Sequence, residues 1–112
     1  METRDIRDLV RFSEDGPARS DLFESERLWA EVICLEANQQ AGPMGDPGAD
    51  AVFVVVAGEA VVQVDRSRKR LKQWSVALAP AGSEVTVTSA SADPTVLLVV
   101  AAPPPTPHAV SG

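Results

Sequence analysis

The sequence predicts an all-β fold, a barrel or a sandwich, preceded by one short N-terminal helix. Three observations carry this. Short apolar segments rich in Val, Leu and Ile recur at close intervals from Arg27 to Ala102. Clusters of Gly, Pro, Asn, Asp and Ser stand between them and supply the turns. The one apolar stripe at helical spacing is Ile6, Leu9 and Val10, at i, i+3 and i+4, near the start of the chain.

Composition narrows the class further. The chain has 112 residues, of which 45% are hydrophobic. That suits one domain with a core large enough to need neither disulfides nor a structural metal. A single cysteine, Cys34, excludes an intrachain disulfide and points to a reducing, cytoplasmic compartment. No apolar N-terminal stretch follows a basic segment, so no signal peptide is expected. The longest apolar runs, 51–57 and 96–102, are too short to cross a bilayer as helices, so no membrane role is expected. A net charge of -6 argues against nucleic acid as the main partner.

Taken in order, residues 3–11 are expected to form the helix, with Thr3 as its cap. So short a helix must dock on the rest of the fold to persist. Residues 13–20, containing Asp15-Gly16-Pro17, are expected as loop, followed by an acidic lead-in over 21–26. The first strand covers 27–36. There Leu28, Ala30, Val32 and Cys34 alternate with Trp29, Glu31, Ile33 and Leu35. Asn38 is suited to a left-handed turn residue. A loop is expected over 39–50, with Gly42-Pro43 and Asp46-Pro47-Gly48 as its turns. Residues 51–57 are apolar on both faces and should be covered on both.

Gly58 marks a sharp turn or kink. Strand 60–65 and a return over 70–79 flank a polar hairpin tip at 66–69. Pro80-Ala81-Gly82 turns the chain, 84–88 alternates polar residues with valine, and 95–102 is the last buried strand. The expected organisation is therefore a helix and lead-in over 1–26, a barrel over 27–105 and a flexible tail over 106–112.

The stretch from Asn38 to Gly58 keeps the spacing of a known motif. It resembles the first motif of the cupin superfamily: a glycine, five residues, His-x-His, three or four residues, Glu, six residues and a glycine. Asn38 stands at the first glycine, Met44 and Asp46 at the histidines, Ala51 at the glutamate and Gly58 at the closing glycine. The second motif is glycine, five residues, Pro-x-Gly, two residues, His, three residues, Asn. It falls on Trp74, Pro80, Gly82, Val85 and Ser89. Gly58, Pro80 and Gly82 match by identity. The match covers residues 28–105 and is similar to small single-domain cupins of the conserved-barrel type. It implies a double-stranded β-helix, the cupin jelly-roll barrel.

Members of that family hold a divalent metal on the four positions that are Met44, Asp46, Ala51 and Val85 here. One carboxylate and one thioether do not make the three or so good donors such a site needs. The only histidine, His108, lies in the tail. These departures from the motif lead to the expectation of no metal cofactor and no metal-dependent catalysis. Nucleophilic chemistry at Cys34 is not supported either, because no histidine lies in the barrel to serve it.

The same resemblance turns Met44, Asp46, Ala51, Phe53, Val85 and Val87 toward the barrel interior, as the candidate ligand-binding set. Two states of that interior compete. One is a pocket for a small apolar ligand. The other is an ordinary core that fills the space, as side chains commonly do in small barrels. Asp46 has its own alternative, as the first residue of the Asp-Pro-Gly turn bonding local N–H groups.

Arg66, Arg68, Lys69, Arg70 and Lys72 are expected as a solvated hairpin that guards a sheet edge. Trp29 and Trp74 are expected as core or interface anchors. Val52, Val54 and Val56 should point outward, an apolar face that suggests a homodimer. The expected function is a ligand-binding or interaction module. Its rivals are an enzyme holding metal on Asp46, Asp50 and Glu84, and a sensor of a small apolar molecule.

Overall fold

The computed structural model describes residues 1–104. The expected tail at 106–112, with His108, lies outside the described residues. The chain enters through a 3-10 turn, Ile6–Leu9, and continues into β1 (Ala18–Glu24), β2 (Trp29–Leu35), β3 (Gln40–Met44), β4 (Asp50–Ala57) and β5 (Ala60–Val64). Then follow β6 (Ser67–Leu71), β7 (Val76–Ala79), β8 (Val85–Ser89) and β9 (Thr95–Ala102). One antiparallel sheet has the order β1-β2-β9-β4-β7 and the other β3-β8-β5-β6. Their facing sides meet in a core built on Ile33, Leu35, Val55 and Leu97 from the first sheet and Val62, Val85 and Val87 from the second.

A second apolar cluster lies on the outside of the larger sheet. Leu22, Ala30, Val32, Cys34 and Val96 are buried there beneath Ile6, Leu9 and Val10. The N-terminal segment does dock, as its length requires. The helix expected over 3–11 is reduced to one 3-10 turn, and its cap is Asp5 rather than Thr3. The Asp5 carboxylate accepts the Arg7 backbone N–H at 2.9 Å and the Arg7 guanidinium as well. Such local bonds compete with helix continuation, and Val10 is already extended.

Three other expectations change. Residues 18–24, expected as loop and acidic lead-in, form β1. Tertiary pairing overrides their polar composition: β1 runs antiparallel to β2 from Ala18↔Cys34 to Glu24↔Trp29, with a bulge between Asp21 and Phe23. The larger sheet thus starts at Ala18, inside the segment expected to precede the barrel. The loop expected over 39–50 contains β3. Pro43 is tolerated there because β3 is an edge strand. Gly42, at φ +103, brings the backbone so close to β8 that a Cβ would sit 2.5 Å from the Val85 carbonyl oxygen. The hairpin tip is Asp65-Arg66, not 66–69, so Arg68, Lys69 and Arg70 belong to β6. Those charges do line a sheet edge, as expected.

The return expected as one strand over 70–79 is split: β6 ends at Leu71 beside β5, and β7 starts at Val76 in the other sheet beside β4, with Trp74 at φ 74 in the turn between them. Trp74 occupies a glycine position of the second motif, so a bulky residue here carries the left-handed conformation that glycine takes without strain. Asn38, at φ 67, turns left-handed as expected.

Candidate functional site

Register across the larger sheet sorts its inward side chains into rows. Arg19, Ile33, Leu97 and Val55 form one row. Asp21, Glu31, Val99, Phe53 and Ala77 form the next. Glu24, Trp29, Ala101, Ala51 and Ala79 form the last. The first of these is closed by fully buried aliphatic side chains. The last has three alanines where bulk would be needed to meet the opposite sheet. A cavity of ≈ 830 Å³ results. Ala51, Phe53, Ala79, Val99 and Ala101 form its wall on one side, Met44 and Val85 on the other, and Pro43, Asp46, Pro80 and Ser83 its rim.

Five of the six candidates from the sequence meet on this cavity: Met44, Asp46, Ala51, Phe53 and Val85. Val87 also faces inward but is fully buried in the core and off the cavity wall. The interior therefore has both of its expected states, a packed core at one end and a hollow at the other. Asp46 acts as the turn residue: its Oδ1 accepts the Gly48 N–H at 2.7 Å, and its carbonyl accepts the Gly82 N–H at 3.0 Å. Asp50 Oδ1 accepts the Ala81 N–H at 2.7 Å and ties the same rim to β4.

The resemblance calls for a metal, and the residues do not fit one. Met44, Asp46, Ala51 and Val85 offer a thioether, one carboxylate already engaged with Gly48, and two aliphatic groups. Among the described residues no three His, Cys, Asp or Glu side chains come together to hold an ion, which covers Asp46, Asp50 and Glu84 as well.

Reasoning from sequence missed the charged end of the cavity. Arg19, Asp21, Glu24 and Glu31 all line it, together with Trp29. Arg19 grips Glu31 in a two-point ion pair: Nε donates to Oε2 at 3.2 Å and Nη2 donates to Oε1. The Glu31 side chain is 4% exposed and that of Arg19 47%. Burial pushes the Glu31 carboxyl above the usual carboxylate range, the Arg19 guanidinium pulls it back, and Asp21 opposite adds to the rise. A usable signal was present: Glu31 shares a strand face with Trp29, Ile33 and Leu35, and a carboxylate on a buried face needs a partner. Trp29, expected as an anchor, stands on the cavity wall. Trp74 is 71% exposed and is not a core anchor among the described residues. Cys34 is buried, and burial pushes its thiol up, which is the bland structural role.

A jelly-roll barrel with a hollow between its sheets is the RmlC-like fold, and solved structures share it. TT1209 of Thermus thermophilus is 35% identical, with 94% of this chain and 100% of that one covered and a TM-score of 0.88. A double-stranded β-helix protein of Klebsiella pneumoniae is 22% identical, over 92% and 90% of the two chains, at TM-score 0.86. An RmlC-like cupin protein of Desulfovibrio desulfuricans is 22% identical, over 93% and 98%, at 0.83. No family model matches the chain, and no curated protein does. The fold is the double-stranded β-helix that these RmlC-like cupin structures share.

Proposed function

We propose that this chain is a small-ligand-binding or interaction module that works without a metal cofactor and without catalysing a reaction. The observation that carries this is the cavity itself. The four positions that hold metal in related barrels all border it, and three of them carry the apolar side chains of Met44, Ala51 and Val85 on an accessible hollow. Concave, mostly apolar spaces of this size are what small ligands occupy. Native mass spectrometry of freshly purified protein tests the reading: a retained organic mass is expected on the chain, and one equivalent of metal would overturn it.

We also propose a homodimer acting in the cytoplasm. The N-terminal segment covers only part of the outer sheet face. Val76 and Leu78 on edge strand β7 are 57% and 62% exposed, paired with Val54 and Val52, and Trp74 lies beside them in the chain. An apolar patch of this kind on a sheet face fits a twofold partner. The single, buried, unpaired cysteine suits a reducing compartment.

A further inference from the structure

We propose that the ligand of this cavity is a small organic cation, an amine with a short apolar body, its ammonium group set against Glu31 and Asp21. The proposal rests on the ligand-binding reading above and adds the chemistry of the head group.

The argument starts from register. Asp21 and Glu31 are direct cross-strand partners with both side chains on the cavity wall. Like charges directly opposite each other in a sheet repel. One inward row further along, Glu24 is opposite Trp29, again with both on the wall. Arg19 is the one cation among the described lining residues, against Asp21, Glu24 and Glu31 at this end of the cavity. Its fork is spent on Glu31. The pair is therefore close to neutral as a unit, and the remaining carboxylates give the mouth a negative field, which low-dielectric walls concentrate.

Glu31 is the group that a second cation would serve. Its side chain is 4% exposed, and a buried carboxylate is stable only when charge and hydrogen bonds compensate its lost hydration. Arg19 takes one lone pair from each oxygen, while an ionised carboxylate can accept about four bonds. Burial still outweighs Arg19 in setting its proton affinity. An ammonium group lodged between Glu31 and Asp21 supplies donors to both and cancels their repulsion. Trp29, in the adjacent row, offers the indole face that attracts cations. Beyond it, Ala101, Ala51 and Ala79 leave a shallow apolar floor for the ligand body. An anionic head group would find one guanidinium already committed and two further carboxylates, Asp21 and Glu24, around it.

The test holds the body constant and changes the head. Hexylamine, hexanol and hexanoate are titrated calorimetrically into the full chain at low salt, and backbone NMR shifts locate each. Hexylamine is expected to bind roughly tenfold more tightly than hexanol, from partly screened ion pairing plus the aromatic face, with hexanoate weakest. Asp21→Asn, at an exposed position that the fold does not need charged, should remove most of that preference. Added salt should also reduce it. Ala51→Leu should weaken all three probes by filling the floor. Hexanol or hexanoate binding as tightly as the amine overturns the cationic head group and leaves the ligand cavity standing. Amine binding that ignores Ala51→Leu is attraction to an acidic surface and also overturns it. If none of the three binds, the ligand-binding reading itself fails, and this inference with it.

Discussion

Replacing Arg19 with methionine isolates the ion pair on the wall of the barrel interior. The stem volume is largely kept, and Glu31 loses the two N–H donors it receives from Nε and Nη2. Hydrogen bonds to a charged group contribute about 1.5–3 kcal/mol each when buried. Arg19 is nearly half exposed, so solvent screening brings the pair well below that sum, to about 2 kcal/mol at neutral pH. At ~2.1 cal/mol/K per residue, a chain of 112 residues unfolds with an entropy of about 0.24 kcal/mol per degree. The melting midpoint should therefore fall by roughly 8 °C.

The loss has a definite pH dependence. Glu31 already titrates above the ordinary 4.5 of a glutamate, and without Arg19 it rises further. A carboxyl whose folded pKa exceeds its unfolded one favours folding as it protonates, so its penalty is full above the folded pKa and vanishes below about 4.5. The gap between wild type and Arg19→Met should narrow steadily from pH 7 toward pH 4.5. In a Glu31→Gln background, Arg19→Met should cost under ~0.5 kcal/mol, since no buried charge is left behind. Circular dichroism melts of the four proteins at pH 7 and pH 5 read all of this. An equal loss in both backgrounds, or at both pH values, would refute the ion-pair argument.

Other perturbations have equally definite outcomes. Gly58→Ala should destabilise the fold by about 2–3 kcal/mol in a denaturant titration, because φ is +76 and the new Cβ would lie 2.5 Å from the Pro94 carbonyl oxygen. Leu78→Lys on the exposed edge should convert a dimer to a monomer by light scattering while moving the monomer's unfolding free energy by under ~0.5 kcal/mol. The quadruple change Met44→His, Asp46→His, Ala51→Glu, Val85→His should create Zn²⁺ or Ni²⁺ binding by calorimetry that the wild type lacks. It will cost stability through the lost Gly48 bond and the overpacked wall, about 1–3 kcal/mol for each site.

Much of the barrel was legible because its central strands carry strong patterns. Strands β2, β4, β5, β8 and β9 lie within a residue or two of where alternation and turn chemistry put them. What was missed lies at the edges. β1 and β3 are edge strands with Arg19, Asp21, Pro43 and Gly42 where a strand pattern wants apolar residues, and only pairing with β2 and β8 makes them strands. The charged end of the cavity was hidden for the same reason. Arg19 and Glu31 are twelve positions apart, and nothing local says that a bulge and an antiparallel register bring them together. The hollow was half legible: motif spacing gathered Met44, Asp46, Ala51 and Val85, but the emptiness depends on Ala79 and Ala101 arriving beside Ala51 from other strands.

The graded rows of the larger sheet divide labour between the two ends of the barrel. Ile33, Leu97 and Val55, all without solvent exposure, concentrate the interlocking packing at the closed end. The alanine row at the mouth contributes little bulk to that packing. Residues at the mouth can therefore drift, enlarging, shrinking or recharging the opening, while the closed end keeps the chain folded. A combinatorial library confined to Ala51, Ala79 and Ala101 should yield mostly folded members with different chemical appetites, whereas the same diversity at Ile33, Val55 and Leu97 should yield mostly aggregates.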